Sequence, residues 1–368
     1  MAHELQTRYS DLILAKLRNE LVLSDGDIFN NDYEGDPAAG IVKIPVRDTE
    51  VQVSDYDKAN GIEASGGSTS YIDFPITKDK AVNETIDGYD AEAVPDKLVA
   101  DRLDSAGYSL AERLDTDGGS TLLAGATVMN VDELTAENIY QTVVDVRTAM
   151  SKAKIPNDGR RYLLCTPDTI ALLLKCPEFI RATSLGDETV EKGTVGKITG
   201  FKVKEWNDDT ANLAMIAGHP RFATRVNAWK VPVHIQDLSG SGKFIGASAV
   251  QGRMIYDHKV LRSVAIRAVY APGSLTAALA AATGDSASGK TVVTVTAGNT
   301  GTTYAYKLNP ASRATYDMTT SAYGGTSLTS GSTAIEVEAG DVIEVVNLSS
   351  GKVKAVTYLT VAAGDIAE

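Results

Sequence analysis

The side chains of this chain that are best suited to metal or nucleophilic chemistry are four histidines and two cysteines, and they are scattered. The histidines show no ligand spacing: they are His3, His219, His234 and His258. Cys165 lies in the apolar run YLLCT, and Cys176 lies at the end of a short apolar helical segment. Two isolated cysteines cannot complete a tetrahedral zinc site without nearby histidines. We therefore expect two buried thiols and no metal site.

Two acidic segments resemble calcium-binding loops in part. DTDGGS (115–120) has alternating acidic residues, but it lacks the third acidic position and the closing Glu of an EF-hand. Its paired glycines favour the C-terminal end of a helix instead. The segment SDGD (24–27) is a weaker match. We predict no calcium site at either segment.

A group of serines lies near a histidine and an aspartate: Ser239, Ser241 and Ser248 are close in sequence to His234 and Asp237. These are the residue types of a catalytic triad, but a triad depends on spatial geometry and no G-x-S-x-G segment is present. Gly240–Gly242 precedes Lys243 without the spacing of a phosphate-binding loop, and it predicts a turn. We predict no catalytic, cofactor-binding or metal-binding residues and no enzymatic activity.

Composition excludes several classes of protein. The 368 residues carry a net charge of -13, with 43% hydrophobic and 23% charged residues. An acidic protein repels phosphate backbones, so sequence-specific nucleic-acid binding is not expected. The opening residues MAHELQTRYS contain no apolar signal segment, and no apolar run is long enough to span a membrane. These features indicate folding in a reducing cytoplasm.

The first part of the chain predicts an arm and a long hairpin. An amphipathic helix is expected over 4–23, and strands are expected at 41–46, 51–54 and 71–77, with turn signals at Asn60-Gly61 and Gly66-Gly67. Together they predict a hairpin over 46–80. A two-stranded ribbon of that length is only marginally stable alone. We therefore expect it to lie on a neighbouring molecule.

Two helices follow the hairpin. The first is predicted over 92–117, ending at Asp115, Asp117 and Gly118-Gly119. Its apolar face consists of Leu98, Leu103, Ala106, Leu110 and Leu114. The second is predicted over 136–153, with Thr135 as its N-cap.

An α+β core is predicted after the second helix. It contains a helix from Pro167 to Leu174, a hairpin at 196–206, and strands at 162–166, 213–218, 231–238, 244–252 and 264–271.

The composition changes at Pro272-Gly273. Small residues at 274–289 predict a flexible linker, and 290–368 predicts an all-β sandwich of immunoglobulin-like type. Four tyrosines of this region could form a contact surface for host-surface or mucosal glycans, or could belong to its core: Tyr304, Tyr306, Tyr316 and Tyr323. We expect the sandwich to lie on the outer surface of any assembly that the chain forms.

The order of these elements resembles the Hong Kong 97-type fold of tailed-bacteriophage major capsid proteins. The segments DGRRYLLCTPDTIALLLKCPEFIRAT (158–183) and GTVGKITGFKVKEWND (193–208) are similar to its sequences, as is 216–260. The resemblance covers about residues 1–271 and implies an N-terminal arm over 1–45, an extended loop over 46–90, and a body over 91–273. Within that body, 92–117 would be the spine helix. Residues 136–155 would belong to the peripheral domain, and 160–260 would form the axial domain.

The resemblance also implies the partners of this chain. Copies of it would assemble as hexamers and pentamers into an icosahedral virion shell in the bacterial cytoplasm, enclosing double-stranded DNA without sequence-specific binding. The few residues before the loop imply a separate scaffolding protein, and a portal protein would complete the shell. Some family members crosslink subunits through a Lys–Asn bond. Lys58, Lys78 and Lys80 are near the loop, but no partner Asn and catalytic Glu can be matched.

Other classes remain open from the sequence. An encapsulin-like nanocompartment would share the fold and enclose enzyme cargo instead of DNA. A surface adhesin would account for the C-terminal β region, although the missing signal segment counts against it. A hydrolase would need a nucleophile placed beside a base.

Overall fold

The computed structural model describes residues 18–23, 26–36, 40–47, 53–62, 66, 69–93, 98–176, 196–296 and 303–368. The helices are α1 (Gly88–Ala93), α2 (Leu98–Gly125), α3 (Ile139–Lys152), α4 (Pro167–Lys175) and α5 (Thr320–Tyr323). The strands of the first half are β1 (Ile41–Arg47), β2 (Thr69–Pro75), β3 (Lys78–Ile86), β4 (Thr127–Asn130), β5 (Tyr162–Cys165), β6 (Lys197–Ile198), β7 (Phe201–Glu205), β8 (Leu213–Gly218), β9 (Ala223–Asp237), β10 (Ser248–Val260) and β11 (Arg267–Tyr270). The remaining strands are β12 (Gly273–Ser274), β13 (Ala277–Ala281), β14 (Lys290–Val295), β15 (Thr303–Leu308), β16 (Thr326–Leu328), β17 (Ala334–Glu336), β18 (Val342–Ser349) and β19 (Lys352–Thr360).

The chain forms two compact units, and each consists of separate stretches of sequence. Unit 1 contains residues 1–125 and 220–262, and unit 2 contains residues 126–219 and 263–368. This division differs from the predicted one, in which 91–273 formed one body with 136–155 peripheral and 160–260 axial. The reason is strand pairing: β9 and β10 form a sheet with β3, so 220–262 belongs with the earlier part of the chain.

Unit 1 is built on a three-stranded antiparallel sheet in the order β3-β10-β9, with α2 packed against it. Ala106 and Leu110 of α2 are buried, as the predicted apolar face requires. Ala106 packs with Ile86 and Val250, and Leu110 packs with Met254 and Tyr256 in a second cluster. The helix is therefore held by the leucine and alanine face that the 3.6-residue period indicates.

The predicted end of the long helix was wrong, because α2 continues through 115–119 to Gly125. Asp115 and Asp117 are 7% and 6% exposed and serve tertiary contacts instead of ending the helix. Leu23 N donates to Asp115 Oδ1 at 2.6 Å. A Cβ added at Gly118 would lie 3.1 Å from Phe29 Cε2, so glycine there permits close packing. Burial of this turn outweighs the low helix propensity of glycine.

The hairpin is confirmed, with a shift in its bounds. β1 pairs with β2 antiparallel from Ile41↔Pro75 to Arg47↔Thr69. The paired strands therefore span 41–75, and both bounds lie about five residues earlier in the chain than the predicted 46–80. Residues 53–54 of the predicted strand 51–54 have no strand structure. The turn at Asn60-Gly61 is confirmed, since Gly61 has φ +69° and its N–H donates to Asp57 O at 2.8 Å.

Unit 2 contains a six-stranded mixed sheet in the order β4-β11-β8-β5-β7-β6. Strand β8 is buried along its whole length, as the apolar run LAMIAG predicts. The apolar face of α3 is confirmed, because Ile139, Val143, Val146 and Met150 are all 0% exposed. The predicted cap was wrong: Asn138 is the N-cap of α3, and Thr135 O accepts from Ile139 N at 3.1 Å.

The C-terminal β domain, residues 273–368, consists of two sheets. Their strand orders are β12-β19-β18-β15-β16 and β13-β14-β17, and Val293, Ile335 and Val345 help form a core to which both sheets contribute. Two packed sheets agree with the predicted sandwich, while the immunoglobulin-like topology stays a prediction. The linker predicted at 274–289 was wrong, since 277–281 is strand β13 and pairs with β14. Alanine-rich sequence resembles a linker, but pairing with a partner strand decides its structure.

The four tyrosines named as a contact surface are packing residues. Tyr323 is 1% exposed, and Tyr304 and Tyr306 pack partly buried against the core. Tyr316 stacks on Tyr270 with ring centroids 5.6 Å apart. Tyr323 therefore belongs to the core, while Tyr304, Tyr306 and Tyr316 are only partly buried.

Among the described residues, no helix has the length and apolarity that a membrane crossing requires. The helix predicted over 4–23 was wrong at its end, because residues 18–23 have no helical structure. The rest of that prediction lies outside the described residues, as do Gly67 and the segment 177–195.

Candidate functional site

The hairpin β1–β2 is attached to unit 1 by an apolar contact near its open end. Ile44 and Phe74 are each 2% exposed and pack with Val226 of β9. Lys259 adds a polar contact, because its Nζ donates to Asp73 O at 2.6 Å. One face of the ribbon is therefore buried against the same chain.

The base of the hairpin is closed by hydrogen bonds. Ile76 N donates to Gly40 O at 3.0 Å. Thr77 donates twice to Asp257 Oδ2, from its backbone N at 3.1 Å and from its Oγ1 at 2.8 Å. Since β3 begins at the next residue, Asp257 fixes the point at which the ribbon leaves the sheet.

Lys78 is the centre of a charged cluster at this base. Its Nζ lies 3.9 Å from Asp117 Oδ2 and 3.7 Å from Asp257 Oδ1. Asp117 also accepts from Tyr256 OH at 3.0 Å and pairs with Arg113 Nη2 at 3.1 Å. Burial raises the pKa of Tyr256, and its hydrogen bond to Asp117 raises it further. Two buried carboxylates need such cationic partners, because an unpaired buried charge is costly.

His258 lies beside this cluster and is 5% exposed. Its ring centroid is 4.7 Å from that of Phe29 and 5.7 Å from that of Tyr256. Burial, reinforced by the nearby positive charges of Lys78 and Arg225, lowers the pKa of His258 to about 4. Within the described part of the chain, its Nδ1 has no hydrogen-bond partner. The imidazole is therefore neutral at pH 7 and acts as a packing residue.

The other residues singled out in the sequence have structural surroundings. The thiols of Cys165 and Cys176 are buried, as predicted, and burial raises the pKa of Cys165. His219 is 1% exposed, and its Nε2 lies 3.0 Å from Asp158 Oδ1. That contact lowers the pKa of the Asp158 carboxyl. His3 lies outside the described residues.

The serine-rich segment forms a turn between β9 and β10. Asp237 Oδ1 accepts from Ser239 N at 2.9 Å and from Ser239 Oγ at 2.5 Å. The His234 ring instead contacts Pro232 O, at 3.0 Å from Nδ1. Gly242 has φ +72°, as the predicted turn requires. In the described ranges, no group of three His, Cys, Asp or Glu side chains is placed to hold a metal ion.

Sequence reasoning missed the cluster around Lys78. Its members come from three places, β3, α2 and β10, and no local motif joins them. A signal was present in the acidic residues of the apolar helix: Asp117 lies three residues from Leu114, on the side that faces the sheet. A carboxylate on a buried face indicates a buried partner.

Comparisons with known proteins agree with this architecture. The family model described as phage capsid protein matches residues 72–280, more than half of the chain. A chain from Mycobacterium phage Che8 has 21% identity and a TM-score of 0.61, over 72% of this chain and 96% of that chain. The capsid of cyanophage P-SCSP1u has 12% identity and a TM-score of 0.60, over 73% and 93%. The mature capsid of bacteriophage PhiM1 has 14% identity and a TM-score of 0.58, over 73% and 92%.

The search of curated proteins found no match. At these identities the solved structures show the fold, and the family model shows the family. The hairpin, the long helix, the two units and these matches lead to one conclusion: the chain belongs to the phage capsid protein family, with the Hong Kong 97-type fold, and is a major capsid protein.

Proposed function

We propose that copies of this chain assemble as hexamers and pentamers into a closed icosahedral shell that encloses packaged double-stranded DNA. The role is structural and not enzymatic. Closed symmetric assemblies multiply many weak contacts between identical subunits. The observation that carries the proposal is the hairpin β1–β2, whose outer part has exposed apolar side chains.

The exposed side chains of the hairpin are large and apolar. Val53 is 97% exposed, Tyr56 is 71% exposed and Ile62 is 53% exposed. Farther down, Ile41 and Tyr71 are 50% and 63% exposed. In the described residues, β1 and β2 pair only with each other, so both edges of the ribbon have open backbone groups. A second copy of the chain is the partner that would cover these groups in a shell.

The net charge of -13 supports a lining that does not adhere to DNA. DNA would then be enclosed without sequence-specific contacts. A separate scaffolding protein would set the curvature during assembly in the host cytoplasm, and a portal protein would occupy one vertex. A crosslink through Lys58, Lys78 or Lys80 is not part of the proposal, because no partner Asn and catalytic Glu can be matched. Lys78 is also engaged by two carboxylates.

The C-terminal β domain is proposed to stand on the outer face of the shell. An inward position would crowd the packaged DNA. Tyr323 is buried and could not contact host or mucosal glycans, so such contact would have to use partly exposed or exposed side chains of the domain. Antibodies against the domain should bind intact particles. Binding to disrupted particles alone would place the domain inside.

The test of assembly is co-expression of the chain with its scaffolding protein, followed by sedimentation and electron microscopy. Closed particles are expected. Val53→Asp with Ile62→Asp should leave a folded subunit that does not form particles, because two charges replace apolar contacts. Leu308→Asp is the matched control, since Leu308 is 39% exposed and lies in the C-terminal β domain. Normal particles from the double variant, or monomer only from the unaltered chain, would refute the proposal.

A further inference from the structure

The C-terminal β domain begins as a strand that is already part of its larger sheet. β12 pairs in parallel with β19, through Gly273↔Ala355 and Ser274↔Val356. Leu275 N then donates to Val356 O at 3.0 Å. The chain thus enters the domain through backbone hydrogen bonds, which restrict rotation about the connection.

Asn212, just before β8, joins the six-stranded sheet to this domain through one side-chain amide. Its Nδ2 donates to Ala271 O at 3.2 Å and to Lys354 O at 3.1 Å. Its backbone O accepts from Ala271 N at 3.0 Å. Asn212 has φ +65°, a conformation that asparagine adopts more readily than most other residues. The side chain therefore bridges two carbonyl groups that belong to the two sides of the junction.

A second set of contacts lies at Tyr316. Its backbone N donates to Val131 O at 2.9 Å, just after β4. Its ring stacks on Tyr270, with an angle of 17° between the planes and 5.6 Å between centroids. Lys354 Nζ lies 4.4 Å from the Tyr316 centroid and 2.6 Å from Asp317 Oδ1. Stacked rings and a cation over a ring each add to the stability of a contact.

We infer that these contacts, centred on Asn212 and Tyr316, hold the C-terminal β domain at one fixed orientation on the six-stranded sheet of unit 2. The domain is not a module on a flexible tether, and Asn212 is a positioning residue for it. In a shell, every copy would then present the domain at the same angle. The inference rests on contacts within one chain and does not depend on assembly.

The test is hydrogen–deuterium exchange of the purified full chain, comparing Asn212→Gly with the unaltered protein. Glycine tolerates the positive φ, so the variant removes the amide without adding backbone strain. The amides of Ala271 and Leu275 should be protected in the unaltered chain. They should exchange about tenfold faster in the variant, because each lost hydrogen bond weakens the junction.

Asn309→Gly is the matched control. Asn309 also has a positive φ, of +44°, and its side chain bridges Asp341 and Val342 inside the domain. This variant should speed exchange near Val342 and leave Ala271 and Leu275 unchanged. Tyr316→Ala is a second variant that acts on the same two amides by removing the ring stack. The inference is overturned if the amides of Ala271 and Leu275 exchange without protection in the unaltered chain. It is also overturned if their exchange rates are unchanged in both Asn212→Gly and Tyr316→Ala.

Discussion

In unit 1, buried surroundings determine the charge pairing of Lys78 and the neutral form of His258. Lys78 is the shared cation between Asp117 and Asp257, so its charge keeps two buried carboxylates paired. His258 is held neutral in the same region by burial and by nearby cations. Stability should therefore respond to substitution of Lys78 and, through His258, to acid.

Replacing Lys78 should destabilise unit 1. Lys78→Met keeps the length of the side chain but leaves Asp117 and Asp257 without their common cation. We expect a loss of about 1–3 kcal/mol in the free energy of unfolding, measured by urea denaturation. Lys43→Met is the control: its pair with Asp73 is 3.9 Å long and exposed, and such pairs contribute little. Equal effects of the two substitutions would contradict a special role for Lys78.

Acid should destabilise the protein through His258. Its pKa is about 4 in the folded chain and 6.5 when unfolded, so the unfolded chain binds more protons between these values. Stability is unaffected by this group above pH 6.5 and falls as the pH is lowered from 6.5 to 4. The largest loss in the free energy of unfolding from this group is about 3 kcal/mol.

The measurement is the free energy of unfolding at several pH values between 4 and 7. His258→Gln should flatten the dependence across this window. The exposed His234→Gln should not. If the His258 variant keeps the full slope, carboxylates and not this imidazole cause the acid sensitivity.

The sequence pattern correctly predicts that β1 and β2 form a hairpin, but the bounds of the strands differ from the predicted ones. Its buried half, with Ile44 and Phe74, folds onto its own unit. Its outer half has a turn fixed by Asp57, whose carboxyl accepts from Ala59 N at 2.8 Å and Asn60 Nδ2 at 2.6 Å. These bonds lower the pKa of Asp57, the backbone bond from Ala59 most.

Deleting 55–66 and closing the gap with a short turn should separate folding from assembly. The paired register from Ile41↔Pro75 to Arg47↔Thr69 would remain, so the subunit should keep its unfolding temperature. Particles should not form, because the exposed side chains of Tyr56 and Ile62 are removed. Sedimentation and thermal unfolding of the same sample distinguish the two effects, and normal particles would show that residues 55–66 are dispensable.

The two compact units are each assembled from distant stretches, since the chain passes between them after residues 125, 219 and 262. Unit 2 also contains the C-terminal β domain, which the family match reaches only as far as residue 280. Its contacts at Val131, Asn212 and Tyr270 mean that its removal affects the rest of the unit.

A chain ending at Pro272 should still form shells but with lower thermal stability. Removal uncovers Tyr270 and takes away Tyr316, the donor to the Val131 carbonyl, and Lys354, one of the two acceptors of the Asn212 amide. We expect unfolding about 5 °C lower, from a loss of roughly 1–2 kcal/mol. Calorimetry of the truncated and full chains measures it, with electron microscopy for particle formation. An unchanged temperature would show that the junction adds no stability, and an absence of particles would show that the domain is needed for assembly.

Features that depend on local periodicity could be predicted from the residue pattern. The leucine face of α2, the buried run LAMIAG of β8, and the Thr166-Pro167 start of α4 were all predictable, because side-chain spacing and backbone preferences act within a few residues. The order of these elements also resembles that of the capsid fold.

Features that depend on distant partners arise only when the chain folds. Asp115 and Gly118-Gly119 favour a helix end in isolation, yet Leu23 and Phe29 pack there and the helix continues. The alanine-rich 277–281 has little tendency of its own to form a strand, but β14 supplies its hydrogen bonds. Lys78, Asp117 and Asp257 come together only when β3, α2 and β10 pack, because burial and charge pairing arise from neighbours in space and not from neighbours in sequence.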